Sequence, residues 1–379
     1  MYKLVYLLFF AYYIVPSFVL AQGGYSISGT VSDEDLTPLK GATVFISGTE
    51  KISVTDSEGR FLFNGLSPGN YSISLKMLGY QTPSRAVTIQ NKSIHLKIIP
   101  EVKTIILKEV TIETKGDREK NLVIFKTQFL GTLFSEGYCD ILNPEVISFK
   151  RKPIDPSHSI LKASAEELLI IENRLLGYKI RYLLREFEHN SKTLTTFYDG
   201  DSFFQDLDST ARQENVWEEN RLRVYQGSLL HFLRSVFVGN VLEEGFVTNQ
   251  IYKNSNLFDP QTYVNSTPVS FDSLVSRIDS AFISFKFSAL NVSYDLKKAS
   301  RLKRKQVRKN QANLFVVTPD RESSQLLLHL DKAIVDARGS VNTGYRTFLI
   351  RGLWAGKRIG DQLPLEYEPT GASDQGSQN

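Results

Sequence analysis

The 379-residue chain holds one cysteine, Cys139, two tryptophans and two methionines. A single cysteine excludes an intrachain disulfide framework and a Cys-rich zinc site. Five histidines (His95, His158, His189, His231 and His329) leave little material for a histidine-rich metal centre. Charge of one sign is also scarce. Forty-five basic residues against 41 acidic ones give +4, so the whole molecule is no polyelectrolyte. Beyond the first 21 residues no apolar run approaches the roughly 18 residues of a spanning helix. What is present, 41% hydrophobic and 23% charged residues, is ordinary globular composition. It suffices for about two domains.

Residues 1–21 have the order of a secretory signal peptide. Lys3 precedes an apolar run from Leu4 to Leu20, broken by Pro16 and Ser17, and Val19-Leu20-Ala21 offers a cleavage site before Gln22. A retained anchor is the alternative, but a run of about 17 residues is short for spanning and its late proline favours cleavage. No cysteine lies near the site, which argues against an acylated lipoprotein. The expectation is an exported chain of the periplasm or outer membrane, with no transmembrane segment after signal removal.

Residues 22–113 read as short strands between turns, among them Tyr25–Val31, Ala42–Ser47, Arg60–Asn64 and a final Thr104–Ile112. Alternation is clean in Tyr71-Ser-Ile-Ser-Leu75, which puts Tyr71, Ile73 and Leu75 on one face. Turn chemistry separates the strands at Thr37-Pro38, Asp56-Ser-Glu-Gly59 and Ser67-Pro-Gly-Asn70. Seven or eight strands without a helical period predict a β-sandwich. Nine basic and nine acidic residues leave this stretch without an electrostatic footprint.

Four strings carry a resemblance: Gly41-Ala-Thr-Val-Phe-Ile-Ser-Gly-Thr49, Thr55-Asp-Ser-Glu-Gly-Arg-Phe61, Gly69-Asn-Tyr71 and Leu78-Gly-Tyr80. In order and spacing they resemble the carboxypeptidase regulatory-like domain, a transthyretin-like sandwich that follows zinc carboxypeptidase catalytic domains. They also resemble the N-terminal extension of TonB-dependent outer-membrane receptors. The resemblance implies a non-catalytic module in which Asp56 and Gly59 are turn residues. Asp33-Glu34-Asp35 lacks EF-hand spacing and reads as a solvated loop.

Lys115–Lys120 reads as a polar linker within 114–120, followed by an α+β region over 121–368 and a disordered tail over 369–379. The second region is expected to open with a short helix over Val123–Leu130. Strand-like runs follow at Val146–Arg151, Leu168–Asn173, Tyr178–Phe187 and Leu194–Tyr198, with turns at Gly177 and Asp199-Gly200. Leu169–Phe187 reads as a hairpin. From Val216 to Val238 the period becomes helical, with Gly227 a weak point and Gly239 a stop. Strands return at Phe282–Phe287, Leu314–Val317 and Arg346–Ile350. Phe129-Leu-Gly131, Cys139–Pro144, Leu176-Gly-Tyr178, Asn220-Arg221 and Tyr225-Gln-Gly-Ser228 resemble exported proteins of Bacteroidetes type, which lend an architecture and no activity.

The regulatory-like domain invites a zinc carboxypeptidase reading, which needs HxxE. The residues three beyond the histidines are Ile98, Leu161, Lys192, Arg234 and Lys332, and HExxH is absent. Gly227-Ser228-Leu-Leu-His231 lacks the spacing of a nucleophile elbow, and Gly352–Lys357 lacks that of a phosphate loop. Ser228 and His231 read as a polar helix face, and Cys139 as a small buried hydrophobe. The acid pairs Glu166-Glu167 and Glu243-Glu244 carry no demonstrable glycosidase separation. No catalytic residue, metal ligand or cofactor is therefore assigned.

The one concentrated charge is Lys297, Lys298, Arg301, Lys303, Arg304, Lys305, Arg308 and Lys309, eight basic residues in 297–309 with no acid among them. The remainder of the chain stands at −4. A solvated loop or helix face is the plain reading. An anionic envelope surface or an acidic envelope protein is the functional one, and export argues against nucleic acid. Trp217 and Trp354 read as core rather than as a sugar platform. The strands lack the repeated alternation of about 10 residues that a large barrel requires. A mainly β, exported, non-catalytic binding or scaffold protein follows. A glycan- or peptide-binding module of nutrient uptake, or a hydrolase with an unrecognised site, is the alternative.

Overall fold

The computed structural model describes residues 24–103, 115–253, 262–304, 314–316, 322–341 and 347–369. The signal peptide expected at residues 1–21, the eighth strand expected at Thr104–Ile112 and the tail from 370 onward lie outside the described residues.

Seven strands build the N-terminal sandwich: β1 (Tyr25–Val31), β2 (Thr43–Ile46), β3 (Ile52–Val54), β4 (Arg60–Leu66), β5 (Gly69–Lys76), β6 (Ser84–Ile89) and β7 (Ile94–Ile98). They pair as β4-β1-β7 and β3-β2-β5-β6. Alternation drives the layering. Phe61, Phe63 and Leu66 of β4 face Tyr71, Ile73 and Leu75 of β5 in one apolar core. Each fully buried large side chain contributes about 1.5–3 kcal/mol. Asp56 closes the β3–β4 turn by accepting from the backbone N–H of Glu58 and Arg60 at 3.0 and 2.8 Å. A side chain at Gly59 (φ +69°) would meet the Val31 carbonyl at 2.3 Å. Both are turn residues, as the resemblance implies.

The second unit starts with helix α1 (Lys115–Leu130), followed by α2 (Thr132–Ser135) and strands β8 (Cys139–Ile141), β9 (Ile147–Asp155), β10 (His158–Ala165), β11 (Leu169–Asn173), β12 (Tyr178–Asn190) and β13 (Thr195–Asp206). The polar stretch expected as a linker is thus the start of a helix. Tertiary contacts supply what its pattern lacks: Arg118 binds the carbonyls of Pro144 and Ile147 at 3.0 Å each. The central strand β12 pairs with β13 along its length, and its other edge meets β11 and then β10. Asp199-Gly200, expected as a turn, lies within β13 opposite a bulge at Arg185. Glycine is needed there for close approach, because a Cβ would sit 2.2 Å from the Leu183 carbonyl. Helix α1 covers this sheet. Phe125 and Phe129 stack at 4.9 Å and meet Phe187 and Tyr182 edge-on.

Helices α3 (Ala211–Tyr225) and α4 (Leu229–Val238) follow, broken at Gly227 (φ +72°) and stopped at Gly239 (φ +88°) as expected. The rest is β14 (Phe246–Lys253), β15 (Thr262–Pro268), β16 (Val275–Arg277), β17 (Phe282–Phe285), β18 (Ala289–Tyr294), helix α5 (Leu296–Arg304), β19 (Leu314–Val316), β20 (Ser323–Leu328), β21 (Ala333–Asp336), β22 (Phe348–Gly352) and α6 (Leu353–Gly356). These strands form a six-stranded sheet, β19-β15-β14-β18-β20-β22, and a three-stranded one, β16-β17-β21. Phe232 of α4 and Phe246, Phe285 and Trp354 centre the core between them. The fold is mainly β, with a seven-stranded sandwich ahead of a mixed region.

Candidate functional surfaces

The three side chains that the sequence offered as nucleophile or base, Cys139, Ser228 and His231, are buried or half-buried. The Cys139 thiol is 1% exposed and pushed up to about 12 by burial, with the Asp361 and Asp140 charges adding to it. A thiol in that state is not a nucleophile. Ser228 caps α4 by accepting from the His231 backbone N–H at 3.1 Å, so its hydroxyl oxygen faces an amide and not the imidazole. The His231 ring is wedged among Tyr225, Phe246 and Tyr294. Its Nδ1 accepts from the Gly227 N–H at 3.2 Å, which leaves Nε2–H to meet Glu244 at 3.0 Å. Burial lowers its pKa, and Glu244 opposes that shift only in part.

The acid pairs are divided among separate partners. Glu166 binds Lys103 at 2.9 Å, whereas Glu243 and Glu244 go to Lys303 and His231. Among the described residues no group of three or more His, Cys, Asp or Glu could hold a metal ion. Both tryptophans are core, donating to the carbonyls of Arg174 (3.0 Å) and Gly227 (2.7 Å).

The strings that set the second region apart meet one another. Trp217, Asn220 and Arg221 of α3 donate to three successive carbonyls, those of Arg174, Leu175 and Leu176, at 2.8–3.0 Å. Arg221 also lies 3.9 Å above the Tyr178 ring. Gly177 (φ +71°) is obligatory at this turn, since a Cβ would lie 2.1 Å from Trp217. The Asn143 side chain fixes the end of β11 by bonding Leu168 O and Ile170 N–H. These residues are structural clasps.

The sandwich is clasped to the rest in the same manner. Residues Gly48 and Thr49, at the β2–β3 turn, pair with the edge strand β13: Gly48 N–H donates to Ser202 O at 2.7 Å and Phe204 N–H to Thr49 O at 2.9 Å. Leu365 N–H donates to Gly48 O at 2.8 Å. Phe45 packs on Phe203 with ring centroids 4.8 Å apart, both fully buried. Two ion pairs flank this contact. The bulge at Arg185 aims its guanidinium at Asp199 and Asp201, and Ser74 of the sandwich donates to Asp201 at 2.6 Å. Burial works against the Asp201 charge, but the Arg185 and Ser74 hydrogen bonds outweigh it and hold the carboxyl below its ordinary value. On the other flank, Asp336 accepts from Arg338 at 2.8 Å and from the Asn70 N–H at 2.9 Å, while Arg338 lies 3.9 Å over Tyr71. Gly69 leaves room for this: a Cβ would fall 2.7 Å from Asp336. Neither ion pair could be foreseen, because their members lie 127 and 266 residues from their sandwich partners. The motif Gly69-Asn-Tyr71, the alternation of Tyr71–Leu75 and the Asp199-Gly200 dipeptide are the sequence signals near them, and each reads as local strand or turn chemistry.

Lys297, Lys298 and Arg301 of the basic segment are exposed on α5, a helix capped by Asp295 through the Lys298 N–H at 2.9 Å. Ala299 is buried and Leu302 half-buried, so the helix lies on the protein by one face. Lys303 is engaged with Glu243 at 3.4 Å. The side chain of Arg304, and Lys305, Arg308 and Lys309, lie outside the described residues. Among the described residues no helix is long and apolar enough to cross a membrane, a statement that does not extend to strands.

Residues 27–112 match the CarboxypepD_reg-like domain, in agreement with the resemblance read from the four strings. No curated relative matches the chain. Among solved structures, a chain of a type II cohesin–X-dockerin complex from Acetivibrio cellulolyticus is 29% identical over 20% of this chain and 52% of its own, with a TM-score of 0.18. The major pilin subunit of Bacillus cereus is 10% identical over 84% of this chain and 66% of its own (TM-score 0.20). A protein of Bacteroides uniformis described as carbohydrate-binding is 9% identical over 48% of this chain and 99% of its own (TM-score 0.17). Likenesses at this level fix neither the fold nor the role of this chain.

Proposed function

We propose that this chain is an exported, non-catalytic binding or scaffold protein of the bacterial cell envelope, docking through the exposed basic face of α5. One observation carries the reading. The thiol, the buried imidazole and the junction carboxylates are engaged internally, whereas Lys297, Lys298 and Arg301 stand exposed on one helix. These three cations belong to a segment of eight, outside which the chain stands at −4, and such a local positive charge attracts an acidic protein or an anionic lipid surface, and attracts it less as salt rises. The burial of Trp217 and Trp354 favours this over the glycan-binding alternative, which wants exposed aromatic faces.

Crosslinking and affinity capture of the tagged protein from its native envelope tests the proposal, against a control with Lys297, Lys298, Arg301 and Lys303 changed to glutamine. A partner captured by the wild type and lost from the control is the expected result. Recovery of the protein alone at both low and high salt overturns the docking role.

A further inference from the structure

The core face of the β9–β10–β12 sheet ends in a rung unlike core. In register across the three strands, Phe149, Ala163 and Phe187 stand abreast beneath Phe125 of α1. Side chains alternate with period two, so the residues two positions on share that face. They are Arg151, Leu161 and His189, again abreast. Helix α1 extends over this rung too, and a cavity of about 200 Å³ lies between them. Leu161 is its floor, and Val123 and Ile124 of α1 are its apolar wall.

Its polar end is built for an anion. The Arg151 guanidinium is oriented by Asn121 Oδ1, which accepts from Nε at 3.2 Å and also from Nη2, and its Nη1 donates to Ser159 Oγ at 2.8 Å. Among the described residues Arg151 has no carboxylate partner, and no residue lining the cavity is acidic. Ser159 Oγ accepts from Arg151 and so keeps its own proton to give away. Ser191 is occupied, donating to Ser159 O at 3.0 Å. At the far end Thr196 donates to Gln128 Oε1 (3.1 Å) and therefore accepts from His189 Nδ1 (2.9 Å), which fixes the imidazole by its other nitrogen. Burial, then the Arg358 and Arg151 charges, lower the His189 pKa; no acid counters them.

We infer that this cavity binds a small organic carboxylate, its acid group on Arg151 and the Ser159 hydroxyl and its aliphatic body over Leu161 against Val123 and Ile124. A guanidinium fork matches a planar carboxylate. A dianion such as phosphate would meet only one cation here, and it would leave the apolar wall uncovered. The carboxylate has two sources of the same chemistry: a free aliphatic acid, or the C-terminus of a peptide ending in an aliphatic residue.

The test is a proton NMR titration of the chain from Gln22, followed at the His189 ring, with its signal assigned through His189→Gln. The probes are isovalerate, the tripeptide Gly-Gly-Leu and the C-terminal amide of that tripeptide. The expected result is a saturable His189 shift with at least one of the two acids and none with the amide. Arg151→Gln, whose amide can still reach Ser159, weakens that binding about tenfold or more. Isovalerate alone acting points to free acids, and the tripeptide acting points to a peptide end. No shift from either acid up to about 20 mM, equal binding of the amide, or unchanged affinity in Arg151→Gln overturns the inference. A binding failure here leaves the α5 docking proposal standing, since that one is read by capture.

Discussion

The sandwich and the sheet beside it place their polar groups in opposite ways. In the sandwich, polar side chains work at the turns: Asp56 ties the β3–β4 hairpin, and Thr55 donates to Leu39 O while accepting from the Ala42 N–H. In the second region they work inside, and the acids of the Arg185–Asp201 and Arg338–Asp336 pairs reach across 127 and 266 residues of chain to Ser74 and Asn70. The two regions meet on β5, which is buried on both faces. Tyr71, Ile73 and Leu75 close the sandwich's own core, whereas Asn70 and Ser74 are completed by acids from elsewhere. The sandwich alone would expose Phe45 and strand these polar contacts. It is therefore an integral layer of the protein rather than a bead on a linker.

Removing the central contact should have the largest effect. Phe203→Ala deletes the ring that covers Phe45 and should cost about 3–5 kcal/mol in denaturant unfolding. Arg185→Ala leaves Asp201 buried beside Ser74 without its cation, and a loss of about 3 kcal/mol is expected. The Asp201 contribution also has a pH signature. Its folded pKa lies below the unfolded value, so its stabilisation is present above about pH 4 and is lost as pH falls through the folded pKa. An acid melt of Arg185→Ala should lack that component.

Asp361 behaves with the opposite sign. Burial raises it to about 6, so the folded protein resists its ionisation and loses stability as pH rises from about 4 to 6. Asp361→Asn should raise stability at pH 7 by roughly 1–3 kcal/mol and change nothing at pH 3, as urea melts at the two pH values would reveal. Ser228→Ala removes a helix cap and should cost about 1 kcal/mol. Smallest of all, glutamine at Lys297, Lys298 and Arg301 should move stability by less than about 0.5 kcal/mol, because these side chains are exposed.

The same contrast explains what was legible in the sequence. The sandwich declares itself through alternation in Tyr71–Leu75 and through turns whose donors and acceptors are neighbours in the chain. The breaks at Gly227 and Gly239 are equally local, as is the β11–β12 hairpin, whose register pairs Ile171 with Ile180. Strand β10 escaped notice because its first three residues alternate weakly, and β14 because Thr248, Asn249 and Gln250 interrupt its apolar run. The first turns of α1 look like a linker since Arg118 finds its carbonyls 26 and 29 residues away. At the candidate sites, the basic residues of α5 could be picked out by composition. The Arg151–Leu161–His189 rung could not, because it exists only once three strands are in register.

Calorimetry of the chain from Gln22, wild type beside Phe203→Ala, tests the integral-layer account most directly. The account predicts that the sandwich melts together with the β8–β13 sheet in the wild type and separates into its own earlier transition in Phe203→Ala. A wild-type sandwich that melts independently, at a temperature Phe203→Ala does not change, would contradict it.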